Sequence, residues 1–266
     1  CGRQCDADLG LRLARQLAIL QRHFRVVGLN DLQDAVAARR WGEPFPVAVT
    51  FDDDLGHHVT HALPELLAAD VPATFFLCGS FLDEPRDFWW QRLQRAVDGG
   101  VDVTPWLGSG PIYRQGRMME TFTPERRDAI ADKLVHMAAP VPRSELLAAE
   151  AAQRLPHIGF HTVRHDPLAG LDDEQLVRAL SDGREELAVF AGYSIDTIAY
   201  PHGSVNDRVV EAARRKEFAV GVTCEQYAVT PEADPLALGR YAPSAAESNG
   251  EFAFRVVRTL LMLPPS

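Results

Sequence analysis

Residues 47–54 read Val-Ala-Val-Thr-Phe-Asp-Asp-Asp, a short apolar run that ends in three carboxylates. The β-branched and aromatic residues are typical of a strand covered on both faces. Pro46 suits the first position of such a strand, where no ladder hydrogen bond is donated. Three like charges at the strand's exit predict a nearby cation. The alternative is an acidic turn, since Asp is common in turns.

A second apolar run, at residues 158–160, leads into a His-Thr-Val-Arg-His motif at 161–165. Gly159 and Pro167 argue against a helix, so we expect a strand that turns into a loop. Two imidazoles four residues apart are weak evidence for a metal site without a third ligand, because most such pairs have other roles. The aspartates after the first strand are the candidates for that ligand.

Three motifs together resemble those of the polysaccharide deacetylase family, a group of metal-dependent carbohydrate esterases. They are Thr-Phe-Asp-Asp at 50–53, the motif at 161–165 and Tyr-Pro-His-Gly at 200–203, and they stand in the family's order. The resemblance implies an α/β fold, a distorted (β/α) barrel with about seven parallel strands. It also implies that residues 1–266 form a single domain of this type.

The resemblance further implies roles for individual residues. Asp53, His161 and His165 would bind one divalent metal ion, usually Zn²⁺, with Co²⁺, Ni²⁺ and Mn²⁺ as alternatives, and Asp52 would be the general base. Two neutral imidazoles and one carboxylate leave net positive charge and open coordination positions, as hydrolytic zinc needs. Zinc lowers the pKa of a water to about 7, so a neighbouring carboxylate can take its proton.

The chain also departs from the family pattern. Many members have Gly where this chain has Asp54. Asp54 would either support the metal ligands or be an ordinary turn residue. The Arg that orients the base is missing from the third motif. In another branch of the family this Arg comes from a later position, which Arg240 resembles. The alternative is that Arg240 is an ordinary surface residue. No His follows His202, so His202, His57 and His58 are the candidate proton donors to the leaving amine.

Three residues are candidates for contact with the substrate. Tyr200 and Pro201 belong to the third motif and are expected near the metal ligands, because catalytic loops follow the carboxyl ends of barrel strands. Trp89 lies in a Phe-Trp-Trp sequence at 88–90. Its ring could stack on a sugar, although core packing is the more common use of such a cluster.

Helix and strand patterns alternate along most of the chain and break at residues 83–156. Helix-start signals such as Thr123-Pro124 predict that this stretch is a mostly helical insertion on the active-site side of the barrel. After it, Asp172 predicts the start of one helix that ends at Gly192, and Asn206 predicts the start of the next.

Composition limits the partners of the protein. With 266 residues and 46% hydrophobic content, the chain can bury one large core. A formal net charge of −10 argues against nucleic acid or an anionic membrane as the main partner. No apolar run of about 18 residues predicts a membrane span, so we expect a soluble protein. Neither an initiator Met nor a signal-peptide pattern is present, so we expect a processed or trimmed chain. The location stays open, with the cytoplasm slightly favoured and an extracytoplasmic location as the alternative.

The residues and the resemblance together predict a hydrolase of carbon–nitrogen bonds other than peptide bonds, which removes N-acetyl groups from an amino sugar or glycan. An O-acetyl esterase or a non-sugar amide hydrolase is the alternative, because esters need less help from a general acid. An inactive carbohydrate-binding barrel would show damage to the base or the ligands, and the sequence shows none. The oligomeric state stays open.

Overall fold

Seven short strands in the described residues organise the larger part of the chain. The structure is a computed structural model that describes residues 2–53, 58–79, 89–110, 112–137, 153–243 and 247–264. The strands are β1 (Arg25–Val26), β2 (Pro46–Val47), β3 (Val49–Asp52), β4 (Ala73–Leu77), β5 (Ile158–Phe160), β6 (Thr197–Ala199) and β7 (Val220–Val222). From β3 to β7 they pair in chain order and in parallel. Their carboxyl ends therefore lie along one edge, which confirms the predicted type of fold.

This main sheet has five strands, fewer than the seven or so predicted for the barrel. The strands β1 and β2 pair with each other in a separate parallel sheet, and Ala48 alone separates β2 from β3 along the chain. The strand predicted near residues 236–241 is reduced to an isolated bridge between Val222 and Leu238. The sheet is therefore a half-barrel.

The chain divides into two compact units, one of residues 1–83 and 147–266 and the other of residues 84–146. The first part of the larger unit contains α1 (Gly2–His23), α2 (Leu32–Ala38) and α3 (Leu63–Ala69). A π-helical segment, His58–Ala62, directly precedes α3. The smaller unit contains α4 (Trp89–Asp98), α5 (Thr104–Leu107), α6 (Ile112–Glu120) and α7 (Pro124–Met137). The larger unit then continues with α8 (Asp173–Ala179), α9 (Arg184–Ala191), α10 (Asp207–Arg215) and α11 (Asn249–Leu260). No helix within these described ranges combines the length and hydropathy that a bilayer-spanning segment requires.

One predicted helix is two helices in the structure. Asp172 caps α8 with a capping box, and Asn206 caps α10, as their side chains predict. The helix expected to run from Asp172 to Gly192 is interrupted between α8 and α9, where Gly183 has a φ of 77°. A Cβ at this position would lie 2.4 Å from Val163 Cγ2. The close approach to the loop after β5 therefore requires glycine at this position, which directly precedes α9.

Side chains of the sheet alternate between two hydrophobic clusters. Phe75 and Leu77 of β4 pack in the cluster that contains helix residues such as Leu63, whereas Phe76 packs with Ala199 on the other side of the sheet. All five residues of β4 are buried, as expected for a strand covered on both faces.

The strand β3 was predicted to be covered on both faces, and that prediction is wrong. Each of its four residues is only partly buried. Within the described residues β3 pairs only with β4, and Val49, Thr50 and Phe51 line an apolar cavity. A strand with one unpaired edge beside a cavity keeps part of its surface accessible.

Candidate metal centre

The parallel register brings the ends of β3 and β5 to the same level. Asp52 is level with Phe76 of β4, and Phe76 is level with Gly159 of β5. Asp53 and His161 therefore both lie just beyond this level, two strands apart. Neighbouring strands are about 4.8 Å apart, so side chains from β3 and β5 can meet across the end of β4.

Asp53, His161 and His165 form a cluster that could hold a metal ion. One ligand atom from each residue lies within 4.8 Å of the other two. Asp53 Oδ1 lies 3.6 Å from His161 Nε2 and 3.4 Å from His165 Nε2. Ligand atoms about 2.0–2.2 Å from a shared Zn²⁺ in tetrahedral geometry would lie about 3.3–3.6 Å apart. The spacing and the donor types therefore fit a divalent ion such as zinc.

The buried oxygen of Asp53 also fits a cation. Asp53 Oδ1 is inaccessible to solvent and accepts no hydrogen bond from the described residues. A buried anionic oxygen needs a donor or a cation to offset its lost hydration. Burial, together with the charge of Asp52, raises the pKa of Asp53 although His161 opposes the shift. A divalent ion at this point would favour the ionised form of the carboxylate.

A backbone hydrogen bond determines which nitrogen of His161 is free. Its Nδ1 lies 2.8 Å from the carbonyl oxygen of Ala199, at the end of β6. A carbonyl only accepts, so Nδ1 donates and the lone pair is on Nε2, which faces Asp53. Such a contact orients the ring for metal binding.

His165 reaches the cluster through a tight loop, as predicted, because residues 161–167 form neither helix nor strand. The backbone N–H of His165 donates to Thr162 Oγ1 over 3.2 Å, and both residues have a positive φ, 59° for Thr162 and 52° for His165. The ring of His165 packs edge-on to that of His161, with centroids 4.6 Å apart. Coiling of the loop, rather than a shared helix face, brings the two imidazoles together.

Left-handed backbone is concentrated around this cluster. Six non-glycine residues of the described chain have a positive φ, and Asp53, Thr162, His165 and His202 are four of them. Such conformations cost about 1–3 kcal/mol each and persist where the surrounding structure imposes them, often at functional sites.

Asp52 is held by two parallel hydrogen bonds from Arg240. Arg240 Nη1 donates to Asp52 Oδ1 over 2.7 Å, and Nη2 donates to Oδ2 over 2.5 Å. Arg240 is held in turn by the carbonyl of Thr223, 2.8 Å from Nε, and by Thr50 Oγ1, 3.3 Å from Nη1. Burial would raise the pKa of Asp52, but the nearby His161 and Arg240 hold it below the usual range. The carboxylate is thus ionised and fixed in orientation.

The candidate proton donors lie in different environments. His202 is exposed, and its ring packs edge-on to that of His165, with centroids 4.5 Å apart. His58 is buried, 5.5 Å from the ring of Phe51 and 5.7 Å from that of Phe75 between centroids. Asp54 and His57 lie outside the described residues. Among the described candidates, His202 is both exposed and next to a predicted metal ligand, so it is the better placed proton donor.

The residues predicted for substrate contact are buried, which corrects their expected use. Tyr200 is fully buried and donates its hydroxyl to the carbonyl of Leu236 over 2.7 Å, and Pro201 is also buried. Trp89 is 4% exposed and packs with Leu93 in the core of the smaller unit. Their burial leaves little side-chain surface for contact with a sugar.

Several contacts at this centre could not be found from sequence patterns. The carbonyls of Ala199 and Thr223 act through the backbone, which carries no residue-type signal. Gly203 has a φ of 65°, and a Cβ there would lie 2.7 Å from the Cβ of Cys224. The glycine in the Tyr-Pro-His-Gly motif is the one signal that points to this close approach.

Comparisons with known proteins agree with this geometry. The sequence profile of the polysaccharide deacetylase family matches residues 41–105 and 129–221, more than half of the chain. A curated relative, YxkH of Bacillus subtilis (strain 168), carries a polysaccharide deacetylase name and is 29% identical over 103 residues, which are 39% of this chain and 37% of that protein. The chain thus matches little more than a third of that relative's length.

Solved structures share the fold over nearly the whole chain. The deacetylase PplD of Streptococcus pyogenes, solved with acetate, has a TM-score of 0.60 and 17% identity over 96% of this chain and 87% of its own. A de-N-acetylase from Aggregatibacter actinomycetemcomitans has a TM-score of 0.59 and 15% identity over 92% of this chain and 86% of its own. At such identities the likeness shows the fold alone. With the profile match and the clustered Asp53, His161 and His165, the conclusion follows that this chain belongs to the polysaccharide deacetylase family.

Proposed function

We propose that this protein is a metal-dependent hydrolase that removes N-acetyl groups from an amino sugar or glycan. The observation that carries the proposal is the pairing of two arrangements at one strand end. Asp53, His161 and His165 present three ligand atoms to one point, and the neighbouring Asp52 is held in place by Arg240. Members of the family act on acetylated glycans, which makes this substrate class the first candidate.

The metal we propose is Zn²⁺, with Co²⁺, Ni²⁺ and Mn²⁺ as alternatives, and Asp53, His161 and His165 would hold it. Two imidazoles and one carboxylate are a donor set that catalytic zinc uses, and three protein ligands leave positions open. When bound, the ion would supply Lewis acidity that polarises the acyl carbonyl and acidifies a water. The other steps depend on the protein's side chains.

Asp52 is suited to accept the proton of the attacking water. Each of its oxygens accepts one hydrogen bond from Arg240 and has a second lone pair that remains available. The water oxygen forms a bond with the acyl carbon while its proton passes to Asp52. The carbon–nitrogen bond then breaks, and the amine nitrogen receives a proton, for which we propose His202 as the donor. Acetate and a free amine are the products.

An O-acetyl esterase is the second candidate. No His follows His202, and His202 is exposed. The proposed proton donor is therefore open to solvent, whereas cleavage of an amide depends strongly on protonation of the leaving amine. An alkoxide leaving group needs less protonation than an amine.

Acetate release separates these candidates and tests the proposal. We expect the purified protein to release acetate from oligomers of N-acetylglucosamine more rapidly than from O-acetylated xylan. Chelation should abolish release, and added Zn²⁺ should restore it, because the water would lose its activating ion. Faster release from the xylan would favour the esterase. Release that survives complete removal of metal would contradict both metal-dependent functions.

Replacement of Arg240 by Ala is expected to lower kcat by roughly 10- to 100-fold, in the range seen when residues that orient a catalytic group are removed. The acid limb of the pH–rate profile should also move to higher pH, because Arg240 helps to lower the pKa of Asp52. Steady-state kinetics over a pH series measure both effects.

The Asp52→Asn background provides the control for this variant. If Arg240 acts through Asp52, the Arg240→Ala change should have little further effect on kcat when Asp52 is already Asn. Arg240→Lys, which keeps the charge but loses the paired hydrogen bonds, should recover only part of the rate. Equal losses in both backgrounds would show that Arg240 has a general structural role.

A further inference from the structure

The larger unit contains an apolar cavity of about 430 Å³ that the proposed reaction does not use. The cavity follows the edge of β3 that has no strand partner among the described residues. Its wall is formed by β2 and β3, by one face each of α1, α2 and α11, and by loop residues that include 227–231, 238–241 and 243. Leu17, Phe51, Val256 and Leu260 are typical of its lining.

The lining is poorly suited to water. A buried water needs two to four polar partners, and most residues around this cavity are aliphatic or aromatic. Protein interiors are otherwise close-packed, so a void of this size favours an apolar occupant. Its volume lies within the roughly 300–1,000 Å³ typical of sites for small ligands, which are also mostly apolar with a few polar groups.

Among the described residues, two charged side chains border the cavity, Arg39 and Arg240. Arg240 is neutralised by Asp52. Arg39 donates from Nε to the carbonyl of Glu43 over 3.0 Å, and its guanidinium lies 3.6 Å from the centre of the Phe45 ring. Within the described parts of the chain, no carboxylate forms an ion pair with Arg39. It is therefore a cation that can accept an anionic partner.

Exposed apolar residues border the cavity. Phe45 and Leu263 line the cavity and are themselves exposed. Trp41 is 99% exposed and lies two residues after the lining residue Arg39, and Leu261 is 77% exposed and directly follows the lining residue Leu260. Exposed apolar residues that border a cavity often mark a ligand-binding groove, and Phe45 places such a residue in contact with the cation Arg39.

We propose that this cavity binds the hydrocarbon chain of a single-chain amphipath with an anionic head group. The chain lies along β3, and the head group pairs with Arg39 at the rim. The inner end of the chain packs near Thr50 and Arg240, both of which line the cavity. Binding at this site does not depend on the deacetylase reaction.

Fluorescence titration with dansyl-labelled undecanoic acid tests the proposal. We expect saturable binding to the purified wild-type protein and displacement by palmitate. Val256→Trp, which fills the cavity from α11, should weaken binding at least tenfold. Val257→Trp is the matched control, because Val257 is 48% exposed on the same helix and does not line the cavity. It should bind the probe as the wild type does.

A second filling variant, Leu260→Phe, adds less volume and protects the test if Val256→Trp does not fold. Arg39→Gln should weaken binding of the acid but not of its uncharged methyl ester, whereas Arg40→Gln, next to it but outside the lining, should change neither. Displacement of the probe by palmitate, compared with displacement by lysophosphatidylglycerol, distinguishes a free fatty acid from a single-chain phospholipid as the source. Absence of saturable binding, or equal binding by the filled and wild-type cavities, would overturn the proposal.

Discussion

Asp52→Asn is expected to lower kcat for deacetylation by roughly 10²- to 10⁴-fold, the usual contribution of a general base, while bound metal stays at the wild-type level. Asparagine has nearly the same shape as aspartate but cannot accept the proton of the attacking water. Because Asp53, His161 and His165 present the predicted ligand atoms, the metal content should not change. Rates measured on metal-loaded protein, together with metal analysis of the same samples, test both parts.

The matched control is Asp173→Asn, the same chemical change at an exposed carboxylate that pairs with Arg208 on the surface. Its kinetics should equal those of the wild type. A sharper version uses Asp52→Ala with added formate, a small carboxylate that can take the place of the missing side chain beside Arg240. Partial recovery of the rate with formate would identify the lost function as proton acceptance. Unchanged rates in Asp52→Asn would show that another group is the base.

His161→Ala is expected to remove both metal and activity. The residue contributes one of three ligand atoms, and its ring is oriented by the carbonyl of Ala199. Loss of a direct ligand should lower metal affinity by more than about 100-fold, the upper end of the range for residues that only orient ligands. Titration of metal-free protein with Co²⁺, followed by its visible absorption, measures the affinity without any assay of activity.

His23→Ala serves as the control for this variant, because His23 is exposed at the end of α1 and far in sequence from the cluster. The thermal unfolding of the two metal-free variants should be compared, so that loss of metal is not confused with loss of the fold. One equivalent of Co²⁺ bound to folded His161→Ala with wild-type affinity would contradict the assignment of His161 as a ligand. Comparison with Asp52→Asn then separates metal binding from base catalysis.

The type of fold could be predicted because strand and helix patterns alternate and the motifs follow strand ends. Local signals placed the caps at Asp172 and Asn206 correctly, since a cap depends on one side chain and the turn next to it. The extent of the sheet and the break at Gly183 could not be predicted. Both depend on how close distant segments approach, such as Gly183 and Val163, and a single sequence does not reveal such distances.

At the candidate site, too, local patterns predicted some features, and tertiary packing determined the others. The sequence placed Asp53, His161 and His165 at strand ends, and the parallel register brings them together. Tyr200 and Trp89 were assigned by residue type and local pattern, but their burial is decided by tertiary packing. The metal and catalytic roles of the clustered residues remain predictions, which Asp52→Asn and His161→Ala test.

The contact between His161 and the carbonyl of Ala199 has a consequence for divergence within the family. Every amino acid has a main-chain carbonyl, so any residue at position 199 that leaves β6 in place keeps the imidazole in the same tautomer. Sequence drift at this position can therefore proceed without altering the chemistry of the ring. An insertion or deletion that shifts β6 by one residue could not be tolerated in the same way, and such length changes should be rarer there than substitutions.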